Sequence, residues 1–209
     1  MGKNSTIDTK ERIINAAEKL FASLGFAGTS LRGIVREADV NLAAIHYHFG
    51  SKEELFSAVV QRVVQPIMEE KLRLLTILEE SDKLPSVAEI LTAFVTPSLQ
   101  MLKQPSAECR IHAQFIARCR TEPYQVQKLA EPEFRIVQQR FLYVLTKVLS
   151  NQSPAELKWK LDLVVAMLVR TMNQMEHSEI LSEDSSVKDK DIDKLVQRLV
   201  TFISYGISA

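Results

Sequence analysis

Apolar residues along this chain recur every three or four positions, the spacing of helices that each bury one face. Period-two alternation bounded by turns is absent from the pattern, as is a glycine-rich loop. Ile13, Ala16, Ala17, Leu20, Phe21 and Leu24 form the first stripe, and Gly25 stops it. Three S-x-x-E capping boxes, Ser51 with Glu54, Ser86 with Glu89 and Ser153 with Glu156, place helix starts, because each pair satisfies backbone N–H groups that the first turn leaves unbonded. Pro154 directly after Ser153 fits the first helical position. The pattern predicts an all-α chain of about nine helices. After three short N-terminal ones come helices near 52–80, 87–103, 106–120, 121–151, 154–178 and 192–208. Pro66 and Pro97 are expected to kink the fourth and fifth, and Pro132 to interrupt or restart the seventh. Residues 1–7 read as a loose arm and the polar run at 182–191 as a loop. No internal repeat is present, and the boundary between a small head at 1–50 and a body at 51–209 falls inside the fourth helix. With no flexible linker there, movement of that helix would pass directly to the head.

The segment from Thr29 to Leu55 reads T-S-L-R-G-I-V-R-E-A-D-V-N-L-A-A-I-H-Y-H-F-G-S-K-E-E-L. Thr29 or Ser30 can cap a short helix in which Leu31, Ile34 and Val35 supply a buried stripe. Asp39 stands where the chain must turn sharply. Aspartate tolerates the left-handed backbone of such a turn, though less well than glycine. Asn41 can cap a second helix to about His48, pinned inward by Ile45 and Phe49. Its outward residues are then Leu42, Ala43, His46 and Tyr47, a set suited to close approach to base edges and phosphates. Two short helices, a tight turn and a capped third helix form the layout of a helix-turn-helix DNA reader.

At these residues the chain resembles the TetR family of transcriptional regulators. The family's N-terminal signature is an apolar helix ending in a Gly-aromatic pair, then T-S, the two short helices, and Y-x-H-F-x-S-K-E-x-L. This chain has Leu20-Phe21, Gly25-Phe26, Thr29-Ser30, Tyr47-His48-Phe49, Ser51-Lys52-Glu53 and Leu55, a match over residues 9–60. Two positions depart from it. Asp39 stands where the family usually has Gly, and His46 where it often has Tyr. The first costs some turn stability, and the second bears on which sequence is read. The resemblance implies a helix-turn-helix head joined through the long fourth helix to a helical dimerisation and ligand-binding body. It implies contacts to double-stranded DNA by Thr29, Ser30, Arg32, Asn41, Leu42, Ala43, Ala44, His46, Tyr47, His48 and Lys52.

Two later helices carry unusual apolar loads. In the eighth, Leu157, Leu161, Val164, Leu168, Met172 and Met175 form one stripe, and Trp159, Leu163, Ala166 and Met167 load other faces. In the last, Leu195, Val196, Leu199, Phe202 and Ile203 repeat the pattern. A helix apolar most of the way round is buried or shared with a partner. The pattern alone leaves intrachain core and a two-fold interface both open. The resemblance, whose members pair through their last two long helices, implies a homodimer through Trp159, Val164, Leu168, Leu195, Leu199 and Phe202.

Composition changes little. Formal net charge is zero over 209 residues, and within 1–60 the basic and acidic residues balance at seven each. Any positive DNA surface must therefore be arranged by the fold from Lys3, Lys10, Arg12, Arg32, Arg36 and Lys52, and the DNA assignment rests on the motif. The N-terminus lacks an apolar signal core, and no apolar run approaches the ~18 residues of a membrane span, so a cytoplasmic protein without membrane association is expected. Cys109 and Cys119 stand ten apart in one helix, a rise of about 15 Å, beyond disulfide reach. His46 and His48 cannot share a helix face, and Cys109 with His112 has no second pair at zinc-like spacing, so no metal is expected. No nucleophile elbow, phosphate loop or paired-carboxylate site stands out, so neither a catalytic centre nor a cofactor is expected.

Phe94, Pro97, Phe115, Cys119, Phe141 and Met167, with Phe and Met around a Pro-bearing helix, suit an adaptable apolar cavity, although each also suits plain core. The body is loosely similar to the fatty-acid-responsive subgroup of the family around Glu122-Pro123, 134–149 and 157–161, which implies a hydrophobic effector of acyl type. The expectation is a ligand-responsive repressor. A dimer would place two recognition helices about 34 Å apart on a palindromic operator, until a small hydrophobic effector releases it. The alternatives are a helical protein–protein interaction module without DNA binding, which salt-dependent DNA binding would exclude, and an enzyme with a Cys or His centre, for which no converging set is visible.

Overall fold

The structure, a computed structural model, describes the backbone of residues 2–103, 106–181 and 192–208, and the side chains of 9–103, 106–173 and 192–208. Among these residues the regular elements are nine α-helices and one 3₁₀ turn. They are α1 (Gly2–Gly28), α2 (Leu31–Ala38), α3 (Leu42–Phe49), α4 (Lys52–Glu79), α5 (Val87–Gln100), a 3₁₀ turn at Met101–Lys103, α6 (Ala107–Thr121), α7 (Tyr124–Val148), α8 (Pro154–Leu181) and α9 (Ile192–Ser208). The all-α expectation is met. The boxes at Ser51 and Ser86 close in both directions, with Ser51 N–H donating to Glu54 at 3.0 Å and Ser86 N–H to Glu89 at 2.8 Å. Ser153 makes the half in which its hydroxyl accepts from Glu156 N–H, at 3.2 Å.

Three expectations are corrected. Helical backbone reaches back to Gly2 in place of an arm over 1–7, since neither Gly nor Pro interrupts the run after Gly2. Pro132 neither interrupts nor restarts α7, which is one helix from Tyr124 to Val148. Pro132 is exposed, so the carbonyl it frees one turn earlier stays open to water. The fifth helix gives way at Met101 to a tighter 3₁₀ turn. The loop expected at 182–191 and the side chains of Lys3 and Met175 lie outside the described residues.

The chain forms two compact units: Met1–Gln65 with Ile111–Glu133, and Pro66–Arg110 with Phe134–Ala209. In the first, α1, α2 and α3 pack around Ile13, Phe21, Ile34, Ile45 and Phe49. Phe56 lies edge-on to Phe21 and Phe26 and tilted against Phe115, with ring centroids 5.1–5.6 Å apart. Each fully buried phenylalanine contributes about 2–3 kcal/mol. Two carboxylates are buried in this unit, Glu18 and Glu122. Glu18, 3 % exposed, pairs with Arg62 and lies 3.1 Å from His112 Nε2, which ties α1, α4 and α6 together.

In the second unit, α5 packs most extensively against α9, and α8 also meets α9. Ile192, Val196, Val200, Ile203 and Ile207 form the buried stripe of α9, and Leu157, Leu161, Val164, Leu168 and Met172 that of α8. Gln152 and Lys160 donate to the Ile207 carbonyl at 3.0 and 3.3 Å, satisfying the end of α9.

Candidate nucleic-acid interface

Ser30 is the cap that starts α2: its hydroxyl accepts from Gly33 N–H at 3.0 Å. Thr29 turns inward instead, 2 % exposed, and donates to the Gly25 carbonyl at 2.8 Å. Helix α2 ends at Asp39, whose backbone is left-handed at φ 50, ψ 55. The next N–H, of Val40, returns to the Val35 carbonyl at 3.2 Å, which closes the turn. Arg12 supports the aspartate that stands in this turn. Its guanidinium donates to the Asp39 carbonyl at 2.6 Å and lies 3.2 Å from the carboxylate. In the sequence Arg12 stands out only as a charge. The signal available was an aspartate at a position that favours glycine, with a cation elsewhere to steady it.

Asn41 caps α3 by accepting from Ala44 N–H at 2.8 Å. Ile45 and Phe49 point inward, 0 % and 8 % exposed. Leu42, Ala43, His46 and Tyr47 are exposed, Tyr47 by 79 %, while Ala44 and His48 are half-buried. His48 meets Tyr47 edge-on, with centroids 5.0 Å apart. Arg32 on α2 is exposed. Lys52, at the start of α4, lies with Nζ 4.3 Å over the Phe26 ring. Partial burial draws its pKa below the usual lysine value, against the opposing pull of Glu53 and Glu122.

Phe26 follows a break in α1 at Gly25, where φ is 74 and ψ 174. The freed Phe26 N–H donates to Glu122 Oε1 at 2.9 Å, and Arg118 donates to the Ser23 carbonyl at 3.3 Å. Glu122 is 8 % exposed. Neither contact was legible in the sequence, since about a hundred residues separate the partners.

The candidate effector residues fall into both units. Phe94 and Phe141 meet edge-on at 5.0 Å in the second unit, where Pro97 is buried and Met167 half-buried. Lys71, 3 % exposed, places Nζ 4.3 Å over Phe94. Phe115 and Cys119 belong to the first unit, and burial pushes the Cys119 thiol up to about 12. Of the candidate interface residues, Val164 and Leu168 are inside the second unit at 1 % and 5 % exposure. Leu195 and Leu199 are half-buried, and Trp159 and Phe202 are exposed by 60 % and 70 %. Among the described residues no cluster of three His, Cys, Asp or Glu could hold a metal ion, and no helix is long and apolar enough to cross a membrane.

The fold and this surface define a helix-turn-helix protein with a helical body. The family model "Bacterial regulatory proteins, tetR family" matches residues 13–59, and "Tetracyclin repressor-like, C-terminal domain" matches 92–206. The chain belongs to the TetR family. Among relatives, it is 46 % identical over 54 residues to the HTH-type regulator YttP of Bacillus subtilis, 26 % of each chain. It is 40 % identical over 68 residues to the HTH-type transcriptional repressor NicS of Pseudomonas putida, 32 % of each chain. Such matches span only about a quarter to a third of the relatives' length. In fold it is similar to NalD of Pseudomonas aeruginosa, a repressor of an efflux pump, with TM-score 0.65 and 19 % identity over 96 % of this chain and 97 % of that one.

Proposed function

We propose that this chain is a transcriptional repressor that binds a palindromic duplex operator as a homodimer and is released by a small hydrophobic effector. The observation that carries the reading is the exposed face of α3. Leu42, Ala43, His46 and Tyr47 stand clear of the core on a helix capped by Asn41 and pinned by Ile45 and Phe49. A helix held that way enters the major groove with its N-terminal residues at the base edges. The Tyr47 hydroxyl and Lys52 suit phosphates, which position the protein, while Leu42, Ala43 and His46 suit base edges, which specify the sequence.

Selection of bound fragments from random DNA, followed by affinity measured against salt concentration, tests this. A single enriched site with a steep salt dependence is expected. Lys52→Ala should weaken all sequences alike and lower the salt slope by about one. An unchanged slope would remove Lys52 from the phosphate contacts. For the effector, acyl and aromatic compounds are the first library. A true ligand raises the melting temperature and loosens the DNA complex by the same coupling factor that DNA imposes on it. The preference for a hydrophobic compound rests on the loose similarity of the body to the fatty-acid-responsive subgroup.

A further inference from the structure

We infer that His46 is a specificity-determining residue that reads an amino-bearing base, adenine or cytosine, through an Nε2 held as a hydrogen-bond acceptor. The inference rests on the reading of α3 as the recognition helix. His46 is exposed and lies three and four residues after Ala43 and Leu42, on their face of α3. Its Nδ1 is 2.9 Å from the Gly50 carbonyl oxygen. A carbonyl oxygen only accepts, so Nδ1 carries the proton. In the neutral form of the ring, which has one N–H, Nε2 then keeps its lone pair, and it is this form that the inference concerns.

The backbone makes this arrangement. Gly50 adopts φ 73 and ψ −68, and Ser51 N–H donates to the Phe49 carbonyl at 2.8 Å, a three-residue turn that brings the Gly50 carbonyl back beside His46. A side chain at Gly50 would be strained by that φ, and its Cβ would press on the Glu54 carboxylate. The ring is therefore held by a turn that only glycine forms readily.

In the major groove, adenine and cytosine present amino donors, whereas guanine and thymine present O6 and O4 acceptors at the corresponding edge. A fixed acceptor bonds to the first pair and sets lone pair against lone pair with the second. A tyrosine hydroxyl, to which the resemblance points more often at this position, rotates to donate or accept and makes no such distinction.

The test uses the full chain and the duplex it selects from random DNA. One position of each half-site should prefer adenine or cytosine over guanine or thymine by about tenfold. His46→Ala should level that position while leaving the others ranked as before. Removing the exocyclic amino group of that base should cost the wild type about tenfold and His46→Ala nothing. A role confined to holding the end of α3 would weaken every sequence by one common factor. Enrichment of a site whose preferences all survive His46→Ala overturns this inference alone, as does a levelled position that prefers guanine or thymine. Failure of the wild type to enrich any duplex overturns the DNA-reading proposal and this inference together.

Discussion

Gly25→Ala is expected to lower stability by about 3–4 kcal/mol and the melting temperature by about 10 °C. Gly25 sits at φ 74, ψ 174, a region that residues with a Cβ essentially do not enter, at a cost of about 1–3 kcal/mol. A Cβ built there would lie 2.7 Å from Glu122 Oε1, the same oxygen that accepts from Phe26 N–H. Moving the carboxylate away strips a charge-assisted hydrogen bond, a further loss of about 1.5–3 kcal/mol. A stiffer unfolded chain returns about 0.5–1 kcal/mol. Glu122→Gln keeps an acceptor in place and should cost about 1 kcal/mol, which separates the bond from the backbone strain. Thermal and urea unfolding would measure both. A Gly25→Ala change within about 0.5 kcal/mol of wild type would contradict the strained break in α1.

Paired substitution of Trp159 and Phe202 by aspartate is expected to convert the proposed homodimer to a monomer and to lower operator affinity on the order of a hundredfold. Trp159, Leu163 and Ala166 share one exposed face of α8, Leu195, Leu199, Phe202 and Gly206 one face of α9, and the two helices pack together. Large apolar residues exposed to this degree on adjacent helices suit a second copy of the chain, and two charges on each side would be desolvated on pairing. At Gly206 a Cβ would meet nothing within 4 Å, which leaves room for close approach. Leu168 makes the contrasting case. It is 5 % exposed inside its own unit, so Leu168→Asp should unfold the protomer rather than separate two of them. Light scattering together with the melting curve tells these outcomes apart. A double variant that remains dimeric would remove these faces from the interface.

Much of the helix-turn-helix head was legible in the sequence because its determinants are local. A cap needs one side chain and an N–H three residues on, as Asn41 with Ala44 and Ser30 with Gly33 show. The left-handed turn needs one tolerant residue, and Asp39 supplies it. Ile45 and Phe49, four apart, decide which side of α3 is buried and so leave His46 and Tyr47 outside. The inward turn of Thr29 was less legible, since two adjacent hydroxyl residues compete for one cap and only the assembled break at Gly25 offers the second a carbonyl.

The helices, their caps and the outward face of α3 thus follow from the residue order, because hydrogen bonds and periodicity within a few residues suffice for them. Packing between distant segments settled the rest. The stripe of α8 and its other apolar faces could all have formed core, and only the assembled helices show that Leu161, Val164 and Leu168 do so while Trp159 and Leu163 face outward. Arg12 reaches Asp39 across 27 residues, Glu18 gathers Arg62 and His112, and Glu122 completes the break after Gly25. Segment Ile111–Glu133 joins the compact unit of the first helices for the same reason. Each of these contacts pairs residues whose separation along the chain carries no periodic signal, so their geometry exists only once the helices have been brought together.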